Sequence, residues 1–423
     1  MSGTRPDEPS PEKTWLPRRA LVVGLARSGS AVAVALARRG VHVVAADSAP
    51  DLDTGRLDDL GVELRLGTEE EALLEGVDLV VKSPGVPAQS PLVAGARSRG
   101  VPVWSEVELG YRLLPAGTRL IGVTGTNGKT TTTELLGAIL RAAGRRVEVA
   151  GNVGRALTGV AEQIEPGATV VCELSSFQLE DVHELACDVA VLLNLEPDHL
   201  DRHGTLAAYR DAKLRIFDRA RARIVPRGMG LDGIEFAADD PLPAEPLIPG
   251  LHNRENAAAA TAAARVAGVG EDAIAAALRT FIGVPHRLEL VRELRGVRYV
   301  NDSKATNAAA ARRGISAYDA PLRVILGGSL KGEDFASFAR ELPANVRSIY
   351  LIGEAADELA AALDAATRSY SRDGDLEHAL AHAHADAEPG DIVLLSPAAA
   401  SFDQFGDFEE RGDTFRRLVE ELP

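Results

Sequence analysis

Short apolar runs alternate with longer alanine-rich segments along most of the chain. In the first pair, the run ALVV at residues 20–23 precedes the segment SGSAVAVALARRG at 28–40. Strands that are buried on both faces of a parallel sheet read as nearly continuous apolar runs, and helices connect them. The pattern therefore predicts an α/β protein with parallel sheets and right-handed crossover connections.

Linker-like sequences divide this pattern into three units. The stretch LLPAGT at 113–118 contains proline and glycine, and a new unit opens near GVPHRLELV at 283–291. In the third unit, residues 288–301 predict a hairpin that turns at Arg295 and Gly296. The predicted domains are a Rossmann-like domain at 19–114, a central P-loop ATPase-like domain with a mostly parallel sheet at 115–283, and a Rossmann-like C-terminal domain at 284–423.

The composition and charge of the chain argue against a nucleic-acid-binding or membrane-spanning protein. The 423 residues are 45% hydrophobic and carry a formal net charge of −16. Such an acidic surface repels nucleic acid and anionic lipid, and the chain has no apolar run of the roughly 18 residues that suggest a membrane span. Cys172 and Cys187 lie in apolar runs and predict buried free thiols in a reducing compartment. We expect a cytoplasmic monomer whose residues 1–18 form a disordered tail, not a signal peptide.

A glycine-containing turn follows the first predicted strand. It reads GLARSG at 24–29, with Ala26 where a dinucleotide-binding turn has its middle glycine. A methyl group at that position crowds a pyrophosphate, so a nucleotide in another pose is favoured over NAD. Further along, the run DLVVK precedes Ser83, at a strand end where ligands collect in such sheets.

The sequence VTGTNGKTTT at 123–132 is close to a phosphate-binding loop. The strict motif has a glycine where this chain has Val123, but the glycines that follow are kept. Their backbone N–H groups can approach phosphate oxygens, and the N-terminus of the next helix favours an anion. We expect Lys129 to reach the β- and γ-phosphates of a nucleotide and Thr130 to offer its hydroxyl to Mg²⁺.

Two more apolar runs of the central unit are followed by groups that suit a metal. The run ATVVC leads to Glu173, and VAVLLN leads through Asn194 to His199. A carboxylate at the end of a buried strand is costly unless it meets a cation or a donor. We therefore expect Glu173 and His199 to bind Mg²⁺ at the carboxyl edge of the sheet. The alternatives are an ion-paired strand end for Glu173 and an ordinary loop histidine for His199.

Lys213 lies in the helical stretch YRDAKLRIF, just beyond His199. An ammonium group would repel Mg²⁺. The plain interpretation is a solvated helix lysine. The alternative is that the neutral amine takes up CO₂ and becomes a carbamate, which is an anion and a metal ligand. The sequence leaves both interpretations open.

Motifs along nearly the whole chain resemble those of the Mur ligase family. The sequences TGTNGKT and HN-x-x-N are common to these ligases and to folate polyglutamate synthases, whereas ELSSFQLE, DSKATN and SPAAASFDQF point to the branch that adds D-glutamate. The other matching motifs are NLEPDHLDRHG at 194–204, DAKLRIF at 211–217, PHRLE at 285–289 and GGSLKG at 327–332.

The resemblance implies an ADP-forming amide ligase of peptidoglycan precursor synthesis. ATP would phosphorylate the terminal carboxylate of UDP-N-acetylmuramoyl-L-alanine, and the amine of D-glutamate would attack the acyl phosphate. Phosphorylation is needed because the oxide of a carboxylate is a poor leaving group. The protein then has to position the substrates and neutralise charge, which suits a phosphate loop with Mg²⁺, and we expect two Mg²⁺ ions.

The resemblance also implies roles for single residues. The catalytic and metal-binding set is Lys129, Thr130, Glu173, His199 and a carbamylated Lys213, with Asn152 near the reaction centre. The ATP contacts are Gly125, Thr126, Asn127, Gly128, Lys129, Thr130, Thr131, Asn256, Arg287 and Asp302, with His286 beside them. The uridine-nucleotide contacts are Arg27, Ser28, Asp47 and Ser83, with Asn152 and His199 for the rest of that substrate. The glutamate contacts are Lys304, Thr306, Lys331, Ser401, Phe402 and Phe408.

Other functions remain as alternatives. Another Mur ligase or a folate polyglutamate synthase would have the same ATP site but a different acceptor, and the Rossmann-like first domain and SPAAASFDQF argue against that reading. A regulatory P-loop ATPase would hydrolyse ATP without forming an amide, which leaves the metal-type residues and the expected basic pocket of the third domain unexplained. An NAD-dependent dehydrogenase does not fit Ala26 or the phosphate loop.

Overall fold

A computed structural model describes residues 15–55, 57–330 and 333–423. One compact unit falls within Met1–Phe236 and Ala262–Val269, and the other within Ala237–Thr261 and Gly270–Pro423. Most of the predicted tail at 1–18 lies outside the described residues, which begin at Trp15. The Trp15 ring packs against that of Trp104, with ring centroids 5.8 Å apart.

The first unit contains two parallel sheets. The first sheet has five strands in the order β3-β2-β1-β4-β5. Its strands are β1 (Arg19–Val23), β2 (His42–Asp47), β3 (Glu63–Leu66), β4 (Leu79–Lys82) and β5 (Val103–Ser105). Its helices are α1 (Arg27–Ala37), α2 (Pro91–Ser98) and α3 (Glu106–Leu113). Apolar side chains cover both faces of this sheet, in agreement with the continuous apolar runs of its strands.

The second sheet has six strands in the order β11-β10-β9-β6-β8-β7, all parallel. The strands are β6 (Arg119–Thr124), β7 (Val147–Gly151), β8 (Thr169–Glu173), β9 (Val189–Leu192), β10 (Ala222–Pro226) and β11 (Ile234–Phe236). The helices are α4 (Lys129–Ala142), α5 (Leu157–Ala161), α6 (Ser176–Leu179), α7 (Leu200–His203) and α8 (Leu206–Leu214).

The second unit contains a six-stranded sheet in the order β12-β13-β17-β14-β15-β16. Its strands are β12 (Glu289–Leu294), β13 (Val297–Asn301), β14 (Leu322–Gly327), β15 (Val346–Ile352), β16 (Ser371–Gly374) and β17 (Ile392–Leu395). The helices are α9 (Leu251–Val266), whose last turn belongs to the first unit, α10 (Glu271–Thr280), α11 (Ala308–Ile315), α12 (Phe335–Arg340), α13 (Ala356–Ala365), α14 (Leu376–Asp386) and α15 (Phe408–Glu420).

Two predictions about this architecture are confirmed. The fold is α/β with mostly parallel sheets, and among the strands of the described residues only the pair β12 and β13 runs antiparallel. That pair is the predicted hairpin, and its turn residues Arg295 and Gly296 both have positive φ, of 52° and 80°. Positive φ at both central residues matches the twist of the two strands.

Buried carboxylates of α3 join the two sheets of the first unit. One oxygen of Glu106 accepts hydrogen bonds from the backbone N–H and the hydroxyl of Thr158, at 2.7 and 2.8 Å. Glu108 accepts from three successive backbone N–H groups, those of residues 183–185, and from Arg112. These bonds fix α3 of the first sheet relative to α5 and to residues 183–185, which precede β9 of the second sheet.

Cys172 and Cys187 are buried free thiols, as the sequence predicts. Burial raises the pKa of the Cys187 thiol to about 12, so it stays protonated and unreactive. Within the described ranges, no helix combines the length and the apolar character needed to cross a membrane.

Candidate active site

The carboxyl edge of the first sheet carries a pocket of about 430 Å³. Strand ends form it because β1 is paired in register with both β2 and β4, so that the residues after these strands lie together. The lining includes Arg27, Ser28, Asp47 and Ser83, the four residues predicted for a uridine nucleotide, and also Asn152 from the second sheet. The structure thus brings these five residues together, whereas His199, also predicted for this substrate, does not line the pocket.

Hydrogen bonds hold this pocket in shape. Asp47 accepts from the backbone N–H of Leu25 at 2.7 Å, and the Ser83 hydroxyl donates to the Gly24 carbonyl at 2.7 Å. A Cβ on Gly29 would lie 1.8 Å from that same carbonyl oxygen, so glycine is required where the helix passes the turn. The side chains of Asp47 and Ser83 therefore already hydrogen-bond to the backbone. Arg27 is the exposed cation that lines the pocket.

Neighbouring side chains hold the phosphate loop. The backbone N–H of Asn127 donates to the Asn194 amide oxygen at 2.8 Å, and the Asn194 amide N–H donates back to the Asn127 carbonyl at 3.1 Å. The Thr126 hydroxyl lies 3.0 Å from the Tyr209 hydroxyl. Gly125 and Gly128 have φ of 155° and 82°, which favour glycine. The loop therefore has a fixed shape, and α4 begins at Lys129 directly after it.

Lys129 and Lys213 both turn towards this loop. The Lys129 Nζ donates to the carbonyl oxygens of Gly125 and Thr126, each at 2.9 Å. The Lys213 Nζ donates to the Gly125 carbonyl at 2.7 Å and lies 4.7 Å from the centre of the Tyr209 ring. Lys213 is 2% exposed, so it is not the solvated helix lysine of the plain interpretation. Burial, followed by the charge of Lys129, lowers the pKa of Lys213 to about 7.

Glu173 lies at the end of β8 and is 3% exposed. One carboxylate oxygen accepts from the Asn152 amide at 3.1 Å. The other is buried and, within the part of the chain that the structure describes, accepts no hydrogen bond. A buried carboxylate oxygen without a donor needs a cation or a water to offset its desolvation.

His199 has positive φ, 51°, at the start of α7. Its side chain is 48% exposed, and its Nε2 lies 3.5 Å from an Asp198 carboxylate oxygen. The imidazole also lies 4.9 Å from the Phe177 ring. Among the described residues, no three histidine, cysteine or carboxylate side chains converge as a metal cluster, and none of these contacts joins His199 directly to Glu173 or Lys213.

In the second unit, the residues predicted for ATP are mostly buried. Asp302 is 4% exposed, accepts from the Ser396 hydroxyl at 2.8 Å, and has its pKa raised by burial to about 7. The His286 Nδ1 lies 3.1 Å from the Asn301 amide nitrogen, and burial lowers the pKa of His286. Asn256 is buried on α9, with its amide 3.4 Å from the Asn253 amide oxygen.

The residues predicted for glutamate lie around the loops that follow β13 and β17. The Lys304 Nζ lies 5.6 Å from the centre of the Phe408 ring, and its backbone N–H donates to the His286 carbonyl at 3.0 Å. Ser401 is 1% exposed, whereas Phe402 is 66% exposed. Thr306 is half-buried beside Lys304, and its backbone N–H donates to the Lys304 carbonyl. Lys331 lies outside the described residues.

The sequence analysis did not identify three cations that contact the loops of the first and third sheets. Lys82 is fully buried, with its Nζ 3.2 Å from Asp181 and 3.5 Å from Glu180. Arg202 donates to the carbonyls of residues 84–86 beside the pocket of the first sheet. Arg411 is fully buried among carbonyl groups of the third sheet. Lys82 could have been found from its place in the apolar run LVVK, but Arg202 and Arg411 lie in charged helical sequence like any surface arginine.

Comparisons with known proteins agree with this arrangement. The Mur ligase middle domain matches residues 123–227, the glutamate ligase domain of Mur ligases matches 286–399, and the MurD-like N-terminal domain of Mur ligases matches 18–105. UDP-N-acetylmuramoylalanine–D-glutamate ligase of Pelotomaculum thermopropionicum is 41% identical over 96% of this chain and 98% of its own. The chain belongs to the Mur ligase family. A relative of the same name from Solibacter usitatus is 42% identical over 96% of this Mur ligase and 98% of its own chain.

Solved structures share the fold of this Mur ligase. UDP-N-acetylmuramate–alanine ligase of Thermotoga maritima aligns with a TM-score of 0.59 at 19% identity, over 96% of this chain and 98% of its own. A bifunctional folylpolyglutamate and dihydrofolate synthase of Yersinia pestis aligns with a TM-score of 0.56 at 20% identity, over 73% and 90%. At these identities the likeness shows the fold alone.

Proposed function

We propose that this Mur ligase joins D-glutamate to UDP-N-acetylmuramoyl-L-alanine, with ATP as co-substrate and ADP and phosphate as products. The observation that carries the proposal is the 41% identity, over 96% of the chain, to a relative named for this reaction. The pocket of the first sheet supports a nucleotide-linked substrate, since it places Arg27, Ser28, Asp47 and Ser83 around one cavity. The alternative hypothesis of a folate polyglutamate synthase does not account for the pocket of the first sheet.

The chemistry begins when the substrate carboxylate attacks the γ-phosphorus of ATP and ADP leaves. The amine of glutamate then attacks the acyl carbon, and the C–O bond to phosphate breaks as the amide forms. Lys129 and the N-terminus of α4 bind the phosphates of ATP. Asn152, which donates to Glu173, orients the carboxylate of the substrate. Asn256, Arg287 and Asp302 serve ATP, with His286 next to them.

Glu173, Thr130, His199 and a modified Lys213 would hold Mg²⁺, in two sites. The buried Glu173 oxygen that accepts no hydrogen bond among the described residues fits a cation. When bound, Mg²⁺ supplies charge neutralisation for the transferring phosphoryl group. Glu173 also accepts from Asn152, so the same carboxylate keeps that amide in place.

We assign a carbamate to Lys213 in the active enzyme. The neutral amine adds to CO₂, an N–C bond forms, and one proton is released. Burial and the nearby Lys129 favour the neutral amine, and the product is an anion that Lys129 would stabilise. The change converts a buried cation beside the phosphate loop into a metal ligand.

The incoming glutamate is held by the second unit. Lys304, Thr306, Lys331, Ser401, Phe402 and Phe408 form its pocket in this proposal. Two carboxylates on the acceptor call for cations and hydroxyl donors, and this set contains two lysines and two hydroxyls. We place the domain boundaries at 18/19, 114/115 and 283/284, and we propose a monomer that works in the cytoplasm.

A phosphate-release assay tests the reaction. We expect phosphate from ATP only when UDP-N-acetylmuramoyl-L-alanine and glutamate are both present, with D-glutamate preferred over L-glutamate. The arms without glutamate, without the uridine nucleotide, and with a folate acceptor are the controls. Equal phosphate release without glutamate would support a regulatory ATPase and overturn the ligase proposal.

A further inference from the structure

Arg411 makes contacts that none of the preceding steps uses. It lies on α15, and its side chain is the largest among those that are fully buried in the described residues. Arginine carries five N–H donors and no acceptor, so each donor must find an oxygen when the side chain leaves water. All five N–H donors of Arg411 meet an oxygen acceptor.

The Arg411 guanidinium donates to oxygens from three separate loops. Its Nε donates to the Ser303 hydroxyl at 3.0 Å, and its Nη2 donates to the carbonyls of Ser303 and Ala399 at 2.9 and 3.2 Å. Its Nη1 donates to the carbonyls of Ala400 and Gly327 at 3.0 and 3.4 Å. Ser303 belongs to DSKATN, Gly327 to GGSLKG, and the two alanines to SPAAASFDQF. One side chain therefore connects the three motifs in which the proposed glutamate contacts are concentrated.

Glycines make room for this guanidinium. A Cβ on Gly328 would lie 2.9 Å from the Arg411 Nη1 and 1.9 Å from the Ala400 carbonyl oxygen. Gly328 also has φ of 141°, which other residues rarely adopt. The backbone at Gly328, directly after β14, is thus shaped around Arg411 and cannot take a side chain at this point.

The charge of Arg411 has no close acidic partner. All its hydrogen-bond acceptors are carbonyl or hydroxyl oxygens, and in the described residues no carboxylate lies within 4.0 Å of it, although Asp403 acts on it from further away. Burial lowers the pKa of Arg411 to about 10, so it stays a cation at neutral pH. A purely structural arginine is ordinarily paired with a carboxylate when it is buried.

The Ser303 hydroxyl extends these contacts to Phe408. It accepts from Arg411 and donates to the Phe408 carbonyl at 2.8 Å. Phe408 begins α15 and faces Lys304. The arrangement of Lys304 and Phe408 therefore depends on Arg411, although Arg411 itself is too deeply buried to meet a ligand.

We propose that Arg411 is a positioning residue for the amino-acid acceptor. It holds the DSKATN loop, the turn at Gly327 and Gly328 and the SPAAASFDQF loop in one arrangement, and it places an unneutralised positive charge beneath a dicarboxylate. This inference rests on the proposed function, because it takes those loops as the acceptor pocket. It adds that selection of a doubly negative amino acid depends on a buried group outside the pocket lining.

The test compares Arg411→Met with Arg417→Met in the full-length chain. Arg417 lies on the same helix, is 60% exposed and pairs only with Glu421 among the described residues, so it is the matched control. We expect Arg411→Met to raise the KM for D-glutamate at least about tenfold, with the KM values for ATP and for the uridine nucleotide within about twofold of wild type. Arg417→Met should leave all three unchanged. A uniform loss of kcat with an unchanged KM for glutamate would overturn the proposal.

A half-reaction separates this proposal from the proposed function. Hydroxylamine attacks the acyl phosphate in place of the glutamate amine, so hydroxamate forms without glutamate. We expect Arg411→Met to make hydroxamate at the wild-type rate. If the wild-type protein makes none, the proposed ligase function fails. If wild type makes hydroxamate and the variant binds glutamate normally, only the role of Arg411 fails.

Two further variants keep the proposal testable if Arg411→Met does not fold. Arg411→Lys keeps the charge but has too few donors in the wrong geometry for the three loops, so its KM for glutamate should lie between those of wild type and Arg411→Met. Ser303→Ala removes only the hydroxyl between Arg411 and Phe408 and should raise the same KM several-fold. A Ser303→Ala protein with wild-type KM and an Arg411→Lys protein with wild-type KM would together contradict the proposal.

Discussion

The ammonium groups of Lys129 and Lys213 donate to the same atom, the carbonyl oxygen of Gly125, at 2.9 and 2.7 Å. Two like charges on one acceptor repel each other, and the charge of Lys129 favours the neutral form of Lys213. Burial of Lys213, followed by the charge of Lys129, lowers the pKa of Lys213 to about 7. Addition of CO₂ to Lys213 would remove the repulsion and replace it with attraction.

The first prediction concerns Lys213. Lys213→Ala should lose at least about 90% of the ligase activity, because it removes the proposed carbamate, and added acetate or formate should restore part of it by entering the space beside the phosphate loop. Rates of phosphate release at increasing carboxylate concentration measure this effect. Lys129→Ala is the control, since acetate cannot replace a cation that binds phosphate. Full activity of Lys213→Ala, or equal rescue of both variants, would contradict the carbamate.

The second prediction concerns Arg202. Its guanidinium donates to the carbonyls of Pro84, Gly85 and Val86, at 3.2 to 3.4 Å, and lies 4.5 Å from the centre of the Phe177 ring. These three residues line the pocket of the first sheet. Arg202→Ala should therefore raise the KM for the uridine-nucleotide substrate about tenfold or more and leave the KM for ATP within about twofold.

Initial-rate kinetics with each substrate varied in turn check the Arg202 prediction. Arg210→Ala is the matched control, because Arg210 is an exposed arginine on the neighbouring α8 and should change neither KM. Equal increases in both KM values for Arg202→Ala would indicate general damage to the central domain. That result would argue against a specific link between α7 and the pocket loop.

The sequence predicted the parts of this site that follow from strand order. Gly24, Asp47 and Ser83 lie at or directly after the ends of strands of one parallel sheet, and such strand ends meet at one edge whatever the packing details. The fold class, the hairpin and the buried thiols were also predictable from the sequence, because each depends on a local pattern.

The parts that the sequence did not predict depend on long-range packing. Arg411 lies in the charged sequence EERGD, and it is distinguished from a surface arginine by contacts such as that with Ser303, 108 residues earlier. Arg202 likewise meets residues more than 100 positions away. Lys82 pairs with Asp181 because two sheets of one unit pack together, which no local periodicity encodes. Such contacts require the three-dimensional arrangement of the elements.

The third prediction uses the close approach of Gly412 to His286. A Cβ on Gly412 would lie 2.1 Å from the His286 Nδ1, a distance that real Cβ atoms do not show. Gly412→Ala should displace the imidazole from Asn301 and destabilise the protein by about 1–3 kcal/mol, as overpacked sites do. Thermal unfolding measures the loss, and a raised KM for ATP would indicate that the displaced His286 serves that substrate.

Gly159→Ala is the matched control for Gly412→Ala. Gly159 also lies in a helix, α5, but a Cβ there would meet no atom within 4 Å. Alanine is a better helix former than glycine by about 0.5–1 kcal/mol, so this variant should be unchanged or more stable. If both variants lost stability to the same extent, the contact with His286 would not be the cause.

The fourth prediction concerns the buried Glu106. Burial raises its pKa from 4.5 to about 7, while Thr158 donates to only one of its two oxygens. Between these two pKa values the folded protein keeps a proton that the unfolded chain has released. The unfolded state then binds fewer protons, so the free energy of unfolding falls as the pH rises from about 4.5 through 7. Each unit of pKa difference corresponds to about 1.4 kcal/mol, which makes the total on the order of 3 kcal/mol.

Glu106→Gln removes this titration and keeps an oxygen for Thr158. Melting temperatures of both proteins from pH 5 to pH 8 should therefore converge or cross, because wild type loses stability relative to the variant as the pH rises. Glu75→Gln, at an exposed position of the same unit, should run parallel to wild type over the whole range. A constant difference between wild type and Glu106→Gln across this range would mean that Glu106 has the same protonation state in the folded and unfolded chain, and the two sheets of the first unit would then be joined by a charged carboxylate.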